Sequence, residues 1–322
     1  MSNQLGVVVL AAGKGTRMKS KMTKMLHNIA GIPLVAHPVH TALELEPERV
    51  VMVVGHQRDA VKSALNHRFP SDSLRFVVQA EQLGTAHAVT MAQPELEDGP
   101  AQFLLLYGDV PLLTAQTLRD LQTLHNNTNA VVSFLTFETD DPTGYGRIVR
   151  DGNNNVLAIR EHRDCSDEEL NITECNAGIY LFDKDFLFTN LGNISTENDQ
   201  NEFYLTDIVE LAAKENRHAQ VICVADEHEV MGVNDRSQLA LLEDEWQNAK
   251  RDALMKSGVS LRSPHSIYFH YDVTVGQDTE IEPNCTFLGK TSIGDDCHIG
   301  GGSHFTDAEI PSGTTLPPHT VK

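Results

Sequence analysis

Residues 5–12 form an almost unbroken aliphatic run that ends at Gly13. A run apolar at odd and even positions alike predicts a strand buried on both faces of a sheet. Runs of the same kind recur at residues 50–54 and 103–107, with residues 130–135 and 221–224 as further candidates. Between them the spacing changes to three and four. Pro33 is placed to open a helix that puts Ala36, Val39 and Leu43 on one side, with Pro38 inside it limiting its length. Asp59, Val61, Ala64 and Leu65 fit a second short helix, and Thr114 is placed to cap a third that buries Leu118, Leu121 and Leu124. Strands alternating with helices predict an α/β fold with a largely parallel sheet, whose ligands sit beyond the carboxyl ends of the strands.

Residues 136–180 break this rhythm. The turn Asp151-Gly152-Asn153 lies between two short strand patterns, residues 146–149 and 156–160, which predicts an antiparallel insertion over one end of a cleft. Residues 234–257 read as a long helix with Leu239, Leu242, Trp246, Ala249 and Ala253 as its apolar stripe and Asn234 as a candidate cap. A different period follows. Phe269, Val275, Ile281, Phe287, Ile293, Ile299 and Phe305 succeed one another at steps of six. Small or medium residues stand two positions before all but the first: Val273, Thr279, Cys285, Thr291, Cys297 and Ser303. An α-helix would scatter this period around its surface, whereas a parallel β-helix stacks it into columns. The register slips at Ile310, and Pro311, Pro317 and Pro318 suit a cap. The division predicted is residues 1–233, a linker at 234–262, and a short β-helix at 263–322.

A formal net charge of -20 argues against a surface for nucleic acid, which needs clustered cations. The five cysteines show no CxxC pair and read as reduced cytosolic thiols. Met1-Ser2-Asn3-Gln4 carries no positive segment, and the run after it is too short to span a bilayer, so no targeting signal and no membrane segment are expected. These features predict a cytoplasmic protein.

Within this acidic chain the loop after the first strand is basic. It reads Leu10-Ala11-Ala12-Gly13-Lys14-Gly15-Thr16-Arg17-Met18, with Lys19, Lys21 and Lys24 downstream. Gly13 and Gly15 permit tight turns with amides directed at phosphate oxygens, and Arg17 offers a planar fork of donors. The spacing matches neither GxGxxG nor GxxxxGK[ST]. The cations serve either a solvated turn or a triphosphate pocket. Asp109 directly follows a buried run, where it either caps a turn or holds Mg2+. Asn234 or Asp235 is the candidate second oxygen, with Asn234 also able to cap the following helix.

These segments resemble a known family. The loop above, Gln79-Ala80-Glu81-Gln82-Leu83-Gly84-Thr85, Tyr107-Gly108-Asp109-Val110-Pro111 and Asp141-Pro142-Thr143-Gly144-Tyr145-Gly146-Arg147 occur in order. Glu161, Asn176-Ala177-Gly178, Phe203-Tyr204-Leu205-Thr206-Asp207 and Gly232-Val233-Asn234 follow. Together they resemble the uridylyltransferase domain of the bacterial bifunctional N-acetylglucosamine-1-phosphate uridylyltransferase / glucosamine-1-phosphate acetyltransferase family. The resemblance implies a Rossmann-like nucleotidyltransferase fold with a mixed, largely parallel sheet, followed by a short left-handed parallel β-helix. It implies transfer of UMP from UTP to a sugar 1-phosphate. Leu10, Ala12, Gly13, Gly15, Gln79, Gly84 and Thr85 would meet the nucleotide. Arg17, Lys24 and Asp109 would be catalytic, and Asp109 and Asn234 would carry Mg2+. Tyr107, Gly146, Glu161, Asn176 and Thr206 would surround the sugar. It also implies a homotrimer through the β-helix, although a short one offers less area for it. Three positions depart from the family: Thr23 stands for proline, Ala177 for threonine and Arg163 for lysine. A long acetyltransferase β-helix does not follow the first coils, so no acetyltransferase activity is expected. The alternatives are another sugar 1-phosphate or dTTP as substrate, and a catalytically weak regulatory or scaffolding homologue.

Overall fold

The computed structural model describes residues 5–70, 72–217 and 219–322; Met1-Ser2-Asn3-Gln4, read above for a targeting signal, lies outside the described residues. Two compact units result. One comprises the chain up to Leu26 with Leu34–Asp235, and the other joins His27–Pro33 to Arg236–Lys322.

In chain order the strands up to the long helix are β1 (Leu5–Ala11), β2 (Asn28–Ile29), β3 (Ile32–Pro33), β4 (Arg49–Val54), β5 (Arg75–Val78) and β6 (Gln102–Tyr107). They continue with β7 (Val132–Glu138), β8 (Arg147–Arg150), β9 (Val156–Arg160), β10 (Glu174–Asp183) and β11 (Gln220–Val224). The main sheet runs β11-β7-β10-β6-β1-β4-β5. β1 lies between β4 and β6, parallel to both, and every one of its residues is buried. That position is what an uninterrupted aliphatic run demands. The predicted runs at residues 50–54, 103–107 and 221–224 lie in parallel strands β4, β6 and β11. β10 is antiparallel to both its neighbours, which makes the sheet mixed. The expected hairpin is β8–β9, closed by an Asx turn in which Asp151 Oδ1 accepts from the amides of Asn153 and Asn155 at 2.9 and 2.8 Å.

The helices are α1 (Ala36–Leu43), α2 (Arg58–Arg68), α3 (Thr85–Ala92), α4 (Ala115–Thr128), α5 (Lys184–Asn190), α6 (Asp207–Lys214), α7 (Glu227–Val230) and α8 (Arg236–Lys256). Pro33 does not open a helix. It ends β3, paired with Asn28, and α1 starts at Ala36. Pro38 is tolerated because it falls in the first turn, where its missing N–H would have had no helical partner. Thr114 caps α4 as expected, its hydroxyl accepting from Thr117 N at 3.2 Å. Leu124 is only half-buried. His125 fills the inner face instead, bonded to Ser133 Oγ at 2.8 Å, and burial pushes its pKa down to about 4.

The second unit carries the six-residue period. Phe269, Phe287 and Phe305 pair in register across three parallel strands, and their rings stack at 5.2 and 5.4 Å with interplanar angles of 10° and 6°. Val275, Ile293 and Ile310 form a second column, and Leu261, Ile281, Ile299 and Leu316 a third. Residues 260–316 therefore form a triangular parallel β-helix. The slip at Ile310 shortens one coil without leaving its column. The small residues Val273, Thr279, Cys285, Thr291, Cys297 and Ser303 are all buried.

The expected stripe on α8 is corrected. Ala249 and Ala253 are exposed, and the buried positions are Leu242, Gln247, Arg251 and Leu254. Two of these are polar because the helix covers strand backbone as well as side chains. Gln247 Nε2 donates to Phe269 O at 2.7 Å, and its Oε1 accepts from Phe269 N at 3.0 Å. Arg251 Nη1 donates to Ile267 O at 3.1 Å. No helix among the described residues is long and apolar enough to cross a membrane.

Candidate active site

β1 and β6 end side by side, and Gly108 N donates to Leu10 O at 2.9 Å just past their ends. Asp109 comes next. Its backbone carbonyl accepts from Val233 N at 2.9 Å, which brings Asn234 beside it. From the other side a short 3-10 turn, Lys24–Leu26, presents Lys24. The Lys24 ammonium pairs with Asp109 Oδ2 and donates to Asn234 Oδ1 at 3.3 Å. Arg17, on the 3-10 turn Thr16–Met18, donates from Nη2 to the same Asn234 oxygen at 2.8 Å. Four groups from three separate stretches of sequence thus meet at one point. Lys24 and Asp109 are buried, at 8% and 9% exposure, whereas Lys14, Lys19 and Lys21 are exposed. The basic stretch therefore divides into one buried cation, one arginine bonded to the same oxygen, and a solvated remainder.

Gly15 has a role beyond directing an amide. Its φ is +61°, and a Cβ built on it would stand 2.5 Å from Lys24 Cβ. The glycine makes room for the root of the lysine side chain. Gly13, by contrast, has no atom within 4 Å of a built Cβ and leaves the loop open there.

A cavity of about 370 Å3 adjoins this point. It is lined by Leu10, Ala12, Gly13, Gln79, Gly84, Thr85 and Tyr107 from the expected set, together with Lys24, Asp109 and Asn234. Gln79 is buried, and its Nε2 donates to Gly84 O at 3.0 Å and lies 3.2 Å from His87 Nδ1. Thr85 Oγ1 accepts from Leu205 N at 3.0 Å, and Ala86 N donates to Phe203 O at 3.0 Å. Gly84, at φ +116°, lies so close to the Phe203 backbone that a Cβ would overlap it. The wall of residues 83–86 is thereby fastened to residues 203–205.

The remaining expected residues form a second group, outside the lining of that cavity. Glu161 Oε1 accepts from Thr206 Oγ1 at 3.0 Å. Its charged neighbours are engaged elsewhere, Arg160 with Glu169 and Arg163 with Asp199. Burial raises the Glu161 pKa, against the Thr206 hydrogen bond, and Asp164, Asp207 and Glu202 push it the same way as burial. Gly146 O accepts from Asn176 N at 2.8 Å, and Asn176 Oδ1 accepts from Gly178 N at 3.0 Å. Tyr107 links the two groups. It lines the cavity, its ring lies against Gly178, and burial followed by the Glu161 and Asp109 carboxylates raises its phenol far above the usual range.

Sequence reasoning did not single out Gln82, Met25, Ala88 and Glu202 as cavity residues. Gln82 was within reach, since it stands in the quoted 79–85 segment; its Nε2 donates to Ala12 O at 2.9 Å. Glu202 carried no signal, because only the return of the 198–206 loop to the cavity puts it there.

A metal fits the donor set. Asp109 Oδ2 and Asn234 Oδ1 both contact one ammonium, so two oxygens already converge on a cation. Among the described residues no group of three or more His, Cys, Asp or Glu side chains could hold a metal alone. A hard cation needs no more than one or two protein oxygens when water and substrate phosphates supply the rest.

The Nucleotidyl transferase family model matches residues 6–247, and the Bacterial transferase hexapeptide (six repeats) model matches residues 272–307. The chain is 42% identical over 306 residues to the Bifunctional protein GlmU of Pelobacter propionicus, covering 95% of this chain and 66% of that protein. It is 41% identical over 319 residues to that of Geotalea uraniireducens, covering 99% and 69%, and 43% identical over 303 residues to that of Enterococcus faecalis, covering 94% and 65%. The chain spans about two thirds of the length of these relatives. With its first unit matched by the transferase model, its coils by the repeat model and nearly its whole length by these relatives, the chain belongs to the nucleotidyl transferase family and, within it, to the GlmU proteins.

Proposed function

We propose that this chain is a UDP-N-acetylglucosamine pyrophosphorylase, transferring UMP from UTP to N-acetylglucosamine 1-phosphate and releasing pyrophosphate. The observation that carries the proposal is the meeting of Arg17, Lys24, Asp109 and Asn234, the last three lining one cavity. A scaffold has no use for a buried cation held beside a carboxylate at the end of a sheet. We place the transferase in residues 1–233 and give residues 263–322 a structural role, with a homotrimer as the assembly to test by mass in solution.

In this reading the cavity takes the nucleoside. Gln79 Nε2 is engaged by Gly84 and His87, which leaves Oε1 to accept from an N–H of the base edge. Arg17 and Lys24 hold the phosphates. Asp109 and Asn234 would hold Mg2+, which supplies charge neutralisation on the phosphate oxygens. The sugar 1-phosphate enters by Tyr107 and the Glu161–Thr206 pair, Glu161 accepting from sugar hydroxyls. The attacking phosphate oxygen is already anionic, so no general base is needed. Catalysis rests on alignment and on cations placed where negative charge leaves with pyrophosphate.

The test is pyrophosphate release over a matrix of UTP, dTTP and several sugar 1-phosphates, with and without Mg2+. UTP with N-acetylglucosamine 1-phosphate and Mg2+ should be fastest, and Asp109→Asn should lower that turnover by about 10²–10³, or roughly 3–4 kcal/mol. Folded protein inactive across the matrix would overturn the proposal, and preference for another sugar or for dTTP would overturn the substrate assignment.

A further inference from the structure

Lys24 owes its position to the backbone before it. Residue 23 is a threonine. Thr23 is buried at 1% exposure, and its carbonyl accepts from Leu26 N at 3.1 Å, starting the turn that bears Lys24. Its hydroxyl has no hydrogen-bond partner. Its backbone N–H does: it donates to Gln57 Oε1 at 2.9 Å. Gln57 Nε2 in turn donates to Lys21 O at 2.7 Å. The amide can lie only one way round, acceptor toward an N–H and donor toward a C=O. A proline at 23 has no N–H and could not make the first bond.

Gln57 is itself well anchored. It sits in the left-handed region at φ +52°, a conformation disfavoured for a residue with a Cβ, at the junction of β4 and α2. Its carbonyl accepts from Ala60 N at 3.0 Å and Val61 N at 3.2 Å, and the buried Val61 and Leu65 fix α2 to the core. The path from the sheet to the site therefore runs from β4 through the Gln57 side chain to Thr23 and on to Lys24.

We infer that Gln57 is a positioning residue for Lys24, a side-chain clamp on residues 21–23. The inference rests on the transferase reading for its kinetic consequence, but the clamp itself can be read without turnover. A loosened Lys24 acts on charge that develops as pyrophosphate leaves, so the loss falls on kcat more than on KM.

The test is a double-mutant cycle. Gln57→Gly removes the amide at a backbone conformation glycine adopts freely, so strain cannot account for its effect. It should lower kcat on the order of tenfold with KM and melting temperature nearly unchanged, as small misplacements of catalytic groups do. In a Thr23→Pro background, where the clamped N–H is already gone, the same change should cost less than about threefold. An equal loss in both backgrounds, or none in either, overturns the inference. Amide hydrogen exchange over residues 21–26 reads the clamp directly: it should speed up in Gln57→Gly while the core strands keep their protection, and unchanged exchange also overturns the inference. If the glycine variant does not fold, Gln57→Asn, which tolerates the left-handed conformation but is one methylene too short to span Thr23 N and Lys21 O, should still speed exchange at Thr23, and unchanged exchange there counts against the clamp. Wild-type inactivity in the same assay would count against the transferase reading alone, with the exchange arm still deciding the clamp.

Discussion

At the scale of single residues, the site is defined by which charges are kept out of water. Five cations lie between residues 14 and 24, yet only Lys24 is buried, and it faces a buried carboxylate. An ammonium so placed needs its partner, because an unpaired buried charge is costly. Asp207, at the first position of α6, shows the opposite situation. Burial, reinforced by Glu210, raises its pKa from 3.8 to about 6. Its charged form is thus disfavoured in the fold, and stability contributed by the protonated acid is lost as pH rises from the unfolded value to about 6. Asp207→Asn removes that penalty, so it should raise the melting temperature at about pH 7 and do so less at about pH 4.5. Thermal melts at the two pH values check it, and a larger gain in acid would refute the account. None of this was legible in the sequence, where Asp207 is one acid among 45 acidic residues.

Among the elements, the strands were the most legible and α8 the least. A strand buried on both faces announces itself by an aliphatic run, as β1, β4 and β6 do. Apolar spacing points to the wrong face of α8, because two of its buried positions are polar. The helix instead spends Gln247 on both backbone groups of Phe269, at 2.7 and 3.0 Å, meeting needs that no apolar side chain meets. Gln247→Leu should destabilise the second unit by about 1–3 kcal/mol, the cost of leaving buried backbone groups unpaired. Denaturant titration followed by tryptophan fluorescence measures it; a variant as stable as the parent would show that the two bonds contribute nothing. Pro33 was misread for a related reason, since a proline that can open a helix can also end a strand, and only the pairing with Asn28 decides.

For the whole molecule the relevant fact is that, among the described residues, each unit has an apolar core of its own. One is built around β1, β4, β6, β7 and β10 with residues such as Val8, Val51, Phe103, Phe134 and Phe182. The other contains the phenylalanine column of the coils. The single tryptophan, Trp246, belongs to the second unit, where it stacks on Tyr271 at 5.9 Å. Separate cores predict separate transitions. Tryptophan fluorescence and loss of transferase activity should therefore have different denaturant midpoints, and coincident curves would mean that the chain unfolds as one cooperative body.

The sequence by itself determined the element types, the change from α/β alternation to a six-residue period, and the ordered motifs that identify the family. Each of these is a local pattern, readable within a few residues because strand and helix periods are set by the backbone. The tertiary structure alone decided which lysine is buried, which atom of Gln79 is already engaged, what Gly15 makes room for, and that Gln57 holds the backbone before Lys24. These depend on side chains that meet across 85 residues at Asp109 and 210 at Asn234, and no local pattern records a partner at that distance.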